Sequence, residues 1–392
     1  MSDARESHDS DSPLQEVTKL GFRLGVTAFG GPAAHIAMLR QEVVERRKWL
    51  SPQEFLDLLG ATNLIPGPNS TEMVMHVGHV RAGRRGLIAS GAAFILPAAI
   101  ITLILAWLYV RYGTTPEGTW LLYGIKPVII AIVAQALWGL ARSALQDYTA
   151  VAVAAGVVVL YLLGLNEILL LFGGGLLIFG FRRFRSGMNS SRAAGVAIAP
   201  FVSSRLVWIA SATSDAVEYT HLRLFLTFLK IGSLLYGSGY VLLAFLRNDF
   251  VVRYGWLTER QLLDAVAVGQ VTPGPVFTTA TFVGYIVGGF GGAVLATIAI
   301  FLPAFLFVGF THPLIKRMRA HRSLGSLLDG VNIAAVGLMT AVSLVLTSDA
   351  IIDAPTALIA GIAWILLIKW RVNATWLIAA GGVIGLLRWG LG

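Results

Sequence analysis

The chain has 392 residues, 56% hydrophobic and only 13% charged, with a mean hydropathy of +0.74. A soluble domain carries about 25% charged residues, so this chain cannot cover a water-facing surface and reads as an integral membrane protein. The absence of cysteine excludes disulfides, zinc–thiolate sites and thiol redox chemistry, and most of the net charge of +9 reads as cytoplasmic Lys and Arg setting topology.

Long apolar runs rich in glycine favour helices over the ten-residue alternation of a barrel. Residues 1–13 are polar and acidic and read as a disordered tail without a cleavable signal, so the first apolar segment is expected to be retained. A first membrane repeat is expected over 14–181. Its opening element, about 14–40, is interrupted at Phe29-Gly30-Gly31-Pro32 and followed by a charged connection from Arg40 to Glu54. Ser51 with Glu54 three residues on has the spacing of a capping box, with Pro52 at the first helical position. The helix they open runs into Pro66-Gly67-Pro68, and a further segment continues to Val80 before Arg81-Ala82-Gly83-Arg84-Arg85-Gly86. Spans follow near 87–110, 120–144, 148–164 and 166–181. Residues 182–221 form a linker: 182–192 are basic and polar, whereas 193–213 are moderately apolar and leave a crossing open despite Pro200 and Arg205. A second repeat is expected over 222–392.

The repeat is direct in the sequence. Residues 25–68 slide onto 232–275 without a gap, with 14 identities in 44 positions, among them Arg40/Arg247, Trp49/Trp256, Asp57/Asp264 and the whole of Pro66-Gly67-Pro68/Pro273-Gly274-Pro275. After one deletion the match continues through Gly86/Gly292, Leu96-Pro97-Ala98/Leu302-Pro303-Ala304 and Gly124/Gly330. Charge is distributed oppositely in the two halves. Arg81, Arg84 and Arg85 face an uncharged counterpart, Val287 to Gly291, while Lys316, Arg317, Arg319 and Arg322 answer a loop holding only Arg111. If positive loops stay inside, the halves are inserted upside down, with 182–192 and 316–322 cytoplasmic. The basic flanks of 55–80 allow either a re-entrant hairpin or a full crossing with a proline kink.

Two rings in Pro-Gly-Pro remove backbone donors and break a helix. Where a helix restarts, its first N–H groups lack partners and its dipole end is positive, which suits an anion. Matched breaks in two halves point to a transporter's binding site; simple kinking for packing is the bland alternative. The candidate substrate-binding residues are Asn63, Pro66, Gly67, Pro68, Asn69, Ser70 and Thr71 in one half and Gln270, Pro273, Gly274, Pro275, Thr278 and Thr279 in the other. Gly30 and Gly31, matched by Gly237, Ser238 and Gly239, form a second pair of breaks, which close helix packing also explains. Intramembrane cations are functional candidates, so Arg23, Lys230 and Lys126 are assigned to charge compensation, with snorkelling as the alternative. Glu72 is the candidate coupling residue, while His76 and His79 read as wall or interface residues. Asp57 and Asp264 read as partners of Arg46 and Arg253 or as caps. No catalytic or metal constellation, phosphate loop or cofactor motif is visible, and the dispersed basic residues argue against nucleic acid.

Phe29-Gly30-Gly31-Pro32, Arg40 through Trp49-Leu50, Pro66-Gly67-Pro68 and the echo Gly237-Ser238-Gly239-Tyr240 to Pro273-Gly274-Pro275 resemble the long-chain, two-domain form of the CHR-type chromate transporters over about 20–392. The resemblance implies a multi-pass protein of the bacterial inner (plasma) membrane that exports chromate, with sulfate as a close analogue, driven by an ion or proton gradient rather than ATP. The second break departs from the first, Gly237-Ser238-Gly239 replacing Gly30-Gly31-Pro32, so the two need not contribute equally. The fold expected is an all-α integral membrane protein of two homologous multi-helix repeats in inverted topology with Pro-Gly-Pro broken helices. Its partners are a chromate- or sulfate-like dianion and the lipid bilayer, with a homodimer left open. A sulfate transporter, a carrier of another oxyanion, and an anion channel are the alternatives.

Overall fold

The computed structural model describes residues 12–29, 31–187, 218–236, 239–311 and 322–391, all of it helix and connections, with no strand among the described residues. The crossing left open at 193–213, the cytoplasmic placement of Lys316, Arg317 and Arg319, and Gly30, Gly237 and Ser238 lie outside these residues.

The first repeat comprises α1 (Pro13–Thr27), α2 (Gly31–Arg40), α3 (Pro52–Thr62), α4 (Asn69–Tyr112), α5 (Pro116–Ala144), α6 (Tyr148–Leu162) and α7 (Glu167–Gly187). The second comprises α8 (His221–Leu234), α9 (Leu242–Leu246), α10 (Glu259–Val271), α11 (Thr279–Thr311), α12 (Arg322–Ala350), α13 (Ala354–Lys369) and α14 (Ala374–Leu391). Each element of one half has its counterpart in the other. Among the described residues, four helical stretches are long and apolar enough to cross a membrane: Asn69–Tyr112, Pro116–Ala144, Val276–Thr311 and Leu327–Ala350. Their outer faces suit lipid, since Leu96, Ile100 and Ile104 on α4 and Ile298, Leu302, Leu306 and Phe310 on α11 are exposed at one-turn spacing.

Local sequence sets the breaks. Ser51 caps α3 with Glu54 reaching back to its N–H, and Thr258 caps α10 through Gln261 in the same way. The stretch from Arg40, expected as a loop, instead continues α2 as a wider π-turn helix over Gln41–Arg46, matched by Arg247–Arg253 after α9. The buried Glu42 lies in its first turn, and Arg23 (2.9 Å), Arg46 (2.7 Å) and Arg47 (3.3 Å) converge on its carboxylate. Asp249 gathers Lys230 and Arg253 equivalently.

The 44 residues of α4 are two limbs. Ala82 and Gly83 leave helical geometry, Gly83 at φ +62°, and Gly288 and Gly289 do the same in α11. The chain doubles back there, with Gly78 packed on Gly86 and Ser90 Oγ donating to Val74 O at 3.1 Å. A Cβ on Gly78 or Gly86 would collide with the facing backbone, and Gly284 and Gly292 repeat the arrangement. The second limb, 84–112, is about 43 Å long at 1.5 Å per residue, enough to cross. Pairing 74 with 90 sets Pro68 level with residue 96, near the middle of that limb.

Both ends of 52–81 lie together. The Arg81 guanidinium stacks over Trp49, just before α3, at 5.3 Å, and pairs with Glu16 of α1 at 2.8 Å. The segment therefore enters and returns at one end of the molecule. At the corresponding place in the second half, Tyr219 packs on Trp256 at 5.5 Å and against Gly288.

The halves interlock. α1 lies on α4, α8 on α11, and α4 on α11, while α5 packs on α13 and α14 and α12 packs on α6 and α7. Gly124 meets Gly381, and Gly330, the repeat equivalent of Gly124, meets Gly175 likewise, backbone against backbone. Across the central pair, Gly91 meets Phe305 while Leu103, Ile104 and Trp107 share a cleft with Phe290, so the two long limbs run antiparallel.

Candidate functional site

The centre is formed where four helices stop. α3 ends at Thr62, and residues 63–68 are non-helical with Gly67 at φ +141°; α10 ends at Val271, and Gly274 sits at φ +86°. Both φ values suit glycine and strain any other residue. α1 and α8 stop beside them, at Ala28 and Leu235. The connections are reciprocal: Gly67 N donates to Leu235 O, and Gly274 N to Ala28 O, each at 2.9 Å. Each Pro-Gly-Pro loop is thus closed by the carbonyl end of the other half's first helix. Each also lies on the other half's long helix, a Cβ on Gly67 meeting Ala304 at 3.7 Å and one on Gly274 meeting Ala98 at 2.8 Å.

The restarting helices have bare N-termini. Neither Pro68 nor Pro275 supplies a side-chain cap; Pro68 O takes the Thr71 and Glu72 N–H groups and Pro275 O that of Thr278, and the positive dipole end of each restart stands beside the central loops. The hydroxyls expected there divide. Ser70 Oγ meets His35 Nδ1 at 3.2 Å, Thr278 donates to Pro275 O at 2.9 Å and Thr279 to Val276 O at 2.8 Å. Thr71 Oγ1 is buried and has no hydrogen-bond partner. Glu72, the next residue, is 0% exposed, and neither carboxylate oxygen has a partner. Asn69 donates to Asn63 at 2.8 Å across the break, and Gln270 is buried in the last turn of α10. Gly31 is buried at φ +76° at the start of α2, and Gly239 opens a short turn before α9, packed against Phe277.

The three cations proposed for charge compensation all face carboxylates. Arg23 meets Glu42 at 2.9 Å, Lys230 meets Asp249 at 2.5 Å, and Lys126 meets Asp264 at 3.2 Å. The last pair is buried and joins the halves, with Tyr109 OH also donating to Asp264 at 2.8 Å. Its repeat equivalents carry no such pair, since Asn332 replaces Lys126 and Asp57 accepts from Gln53. Asp57 and Asp264 are therefore not the partners of Arg46 and Arg253; Glu42 and Asp249 are, because they lie one helical turn away at i,i+4. A second set of inter-half contacts joins Arg247, itself paired with Glu259 of its own half at 2.7 Å, to Tyr161, and Asn248 to the buried Glu167. His35 escaped sequence reasoning. It ties the first break to the first restart, bonding Ala28 O at 3.0 Å and Ser70, yet its repeat equivalent is Leu242, so the duplication gives no signal. Among the described residues no group of three or more potential metal ligands occurs.

The profile of the family described as "Chromate transporter" matches residues 16–179 and 222–386, one stretch in each half. The chain is 31% identical over 382 residues to the chromate transport protein of Cupriavidus metallidurans, covering 96% of this chain and 94% of that one. It is 32% identical over 382 residues to the chromate transport protein of Pseudomonas aeruginosa, covering 93% and 90% respectively. A probable chromate transport protein of Synechococcus elongatus is 29% identical over 384 residues, covering 96% of each chain. No solved structure matches. With both halves matched in order around the two Pro-Gly-Pro loops, this chain belongs to the chromate transporter family.

Proposed function

We propose that the protein is a gradient-driven secondary transporter that exports chromate across the bacterial inner membrane and thereby confers chromate resistance. The observation that carries the reading is the pair of uncapped helix restarts at mid-depth, each closed by a carbonyl of the opposite half. Two such ends supply N–H donors and partial positive charge to a tetrahedral dianion without a full cation. Family membership favours chromate, and sulfate shares its charge and shape.

The halves are inverted in this reading. The antiparallel long limbs and the reversed charge of the loops support it. The described ends at residues 187 and 218 then fall on opposite faces. Alternating access is a rocking of one half on the other about the central loops. Arg23, Lys126 and Lys230, each held by an acid, brace the scaffold, and the restarts carry the anion.

The test is uptake of labelled chromate into inverted membrane vesicles, with sulfate as competitor and an imposed pH gradient or membrane potential. Gradient-dependent uptake that sulfate depresses is expected. No chromate flux under any gradient overturns the reading.

A further inference from the structure

Resting on the oxyanion reading of the central site, we propose that Glu72 is the proton-binding residue of the transport cycle, taking up one proton with each oxyanion that occupies the first restart. The side chain stands in the first turn after Pro66-Gly67-Pro68, and its Oε1 lies so close over Gly67 that a Cβ there would collide with it. It is fully buried, and neither oxygen accepts a hydrogen bond. A carboxylate that served only its own helix would accept from the free N–H groups of the first turn; this one accepts from none. It occupies the space an anion at that helix end would take.

Ionised, Glu72 meets an incoming dianion as a like charge in a dry site. Protonated, it presents an O–H donor to one anion oxygen and removes the repulsion. Anion and proton therefore bind together. By linkage, the anion favours the protonated acid as strongly as the proton favours the anion. The dianion plus one proton crosses with a net charge of −1 instead of −2.

Only one half carries this group. By the spacing that aligns the Pro-Gly-Pro motifs, Thr279 stands where Glu72 does, and its hydroxyl is committed to Val276 O. The surrounding charges leave Glu72 alone. Tyr236, following α8, is the ionisable side chain within electrostatic reach, and His76 lies one turn farther along α4. On α2, His35 is engaged by Ala28 O and Ser70; on α1, Arg23 is held by Glu42. From α3 comes Asp57, bonded by Gln53, and from α10 Asp264, bonded by Lys126 and Tyr109. α11 has no charged residue over 279–311.

The experiment uses the purified full chain in detergent with sulfate, which stays a dianion from mildly acidic to alkaline pH. Sulfate affinity of the wild type should fall about tenfold per pH unit once the free protein's acid is ionised. Adding sulfate to unbuffered protein should take up about one proton per anion bound. Glu72→Gln should bind sulfate with an affinity that is flat with pH and with no proton uptake. Proton uptake by the wild type is read independently of whether the variant folds. Wild-type binding that is indifferent to pH, equal pH dependence in the variant, or a requirement for sodium in place of protons would overturn the assignment while leaving the oxyanion site standing. No sulfate or chromate binding at all would overturn the oxyanion site itself, and Glu72's role with it.

Discussion

Removing the charge of Lys126 should cripple folding, and removing its partner as well should restore it. The pair is buried, side chains 9% and 1% exposed, at 3.2 Å, so solvent does not screen it. Lys126→Met strips the buried Asp264 of its counter-ion and leaves Tyr109 as its hydrogen-bond donor, and breaking a buried pair from one side costs about 3–5 kcal/mol. Asp264→Asn alone strands the ammonium at comparable cost. In the double variant the methionine fills the lysine's channel and the new amide oxygen still accepts from Tyr109. Replacing both charges is close to neutral, so the coupling energy should be about 3 kcal/mol or more, far above the roughly 0.5 kcal/mol scatter of independent sites. Thermal unfolding followed by the fluorescence of the ten tryptophans reads all three variants. Additive losses in the double variant would refute the pairing. Transport assayed on the same protein separates bracing from substrate binding: a stable double variant that has lost chromate flux would return Lys126 to the anion.

Gly67→Ala and Gly274→Ala should each abolish transport, since both residues hold positive φ and a Cβ would strike Glu72 Oε1 in one case and Ala98 in the other. Each should cost about 2–4 kcal/mol of stability, and full activity in both would refute the role of the loops. Because the chain lacks cysteine, single introduced thiols report sidedness without background. Lys48→Cys and Arg84→Cys should react from one face of the membrane and Phe290→Cys from the other, and labelling of all three from one side would sink the inverted arrangement. Along α5, Gly124→Ala should destabilise by about 1–3 kcal/mol through its collision with Gly381, whereas Gly139→Ala, with open space at its Cβ, should stabilise by up to about 1 kcal/mol. Equal effects in a melting experiment would refute the close packing of α5 on α14. His35→Leu should weaken the first restart by unseating Ser70 and removing one of the two donors to Ala28 O, the Gly274 N–H remaining, at about 1–3 kcal/mol in the same assay; an unchanged melting temperature would refute it.

The duplication made the breaks legible, since Pro66-Gly67-Pro68 and Pro273-Gly274-Pro275 mark backbone that helical geometry forbids wherever they fall. The fold-back at Ala82-Gly83 showed only as a basic, glycine-bearing stretch, and its form depends on Gly78 and Gly86 meeting face to face, which no local pattern states. Ion pairing was misread where it was nearest. Glu42 and Arg46 are four apart, the spacing a helix would pair, but reading 40–54 as loop removed the helix that brings them together. Contacts between halves were out of reach: Lys126 with Asp264, and Gly67 with Leu235, join residues more than a hundred positions apart, and neither partner's neighbours name the other. Glu72 was singled out as an acid in an apolar run, but its lack of partners is visible only in three dimensions.

Because Gly67 closes on Leu235 and Gly274 on Ala28, neither half completes its own central loop. The first half alone would leave the Gly67 amide bare, since His35 still reaches its Ala28 carbonyl, and the second half alone would lose the partners of the Gly274 amide and the Leu235 carbonyl, at a depth where the bilayer offers neither donor nor acceptor. Its complement must be another half, tethered or free, and an unjoined pair of identical halves would satisfy the same two bonds. Joining the halves in one polypeptide releases them from being identical. One can then keep an acid and a histidine where its twin has Thr279 and Leu242, so that the two central loops face different neighbours.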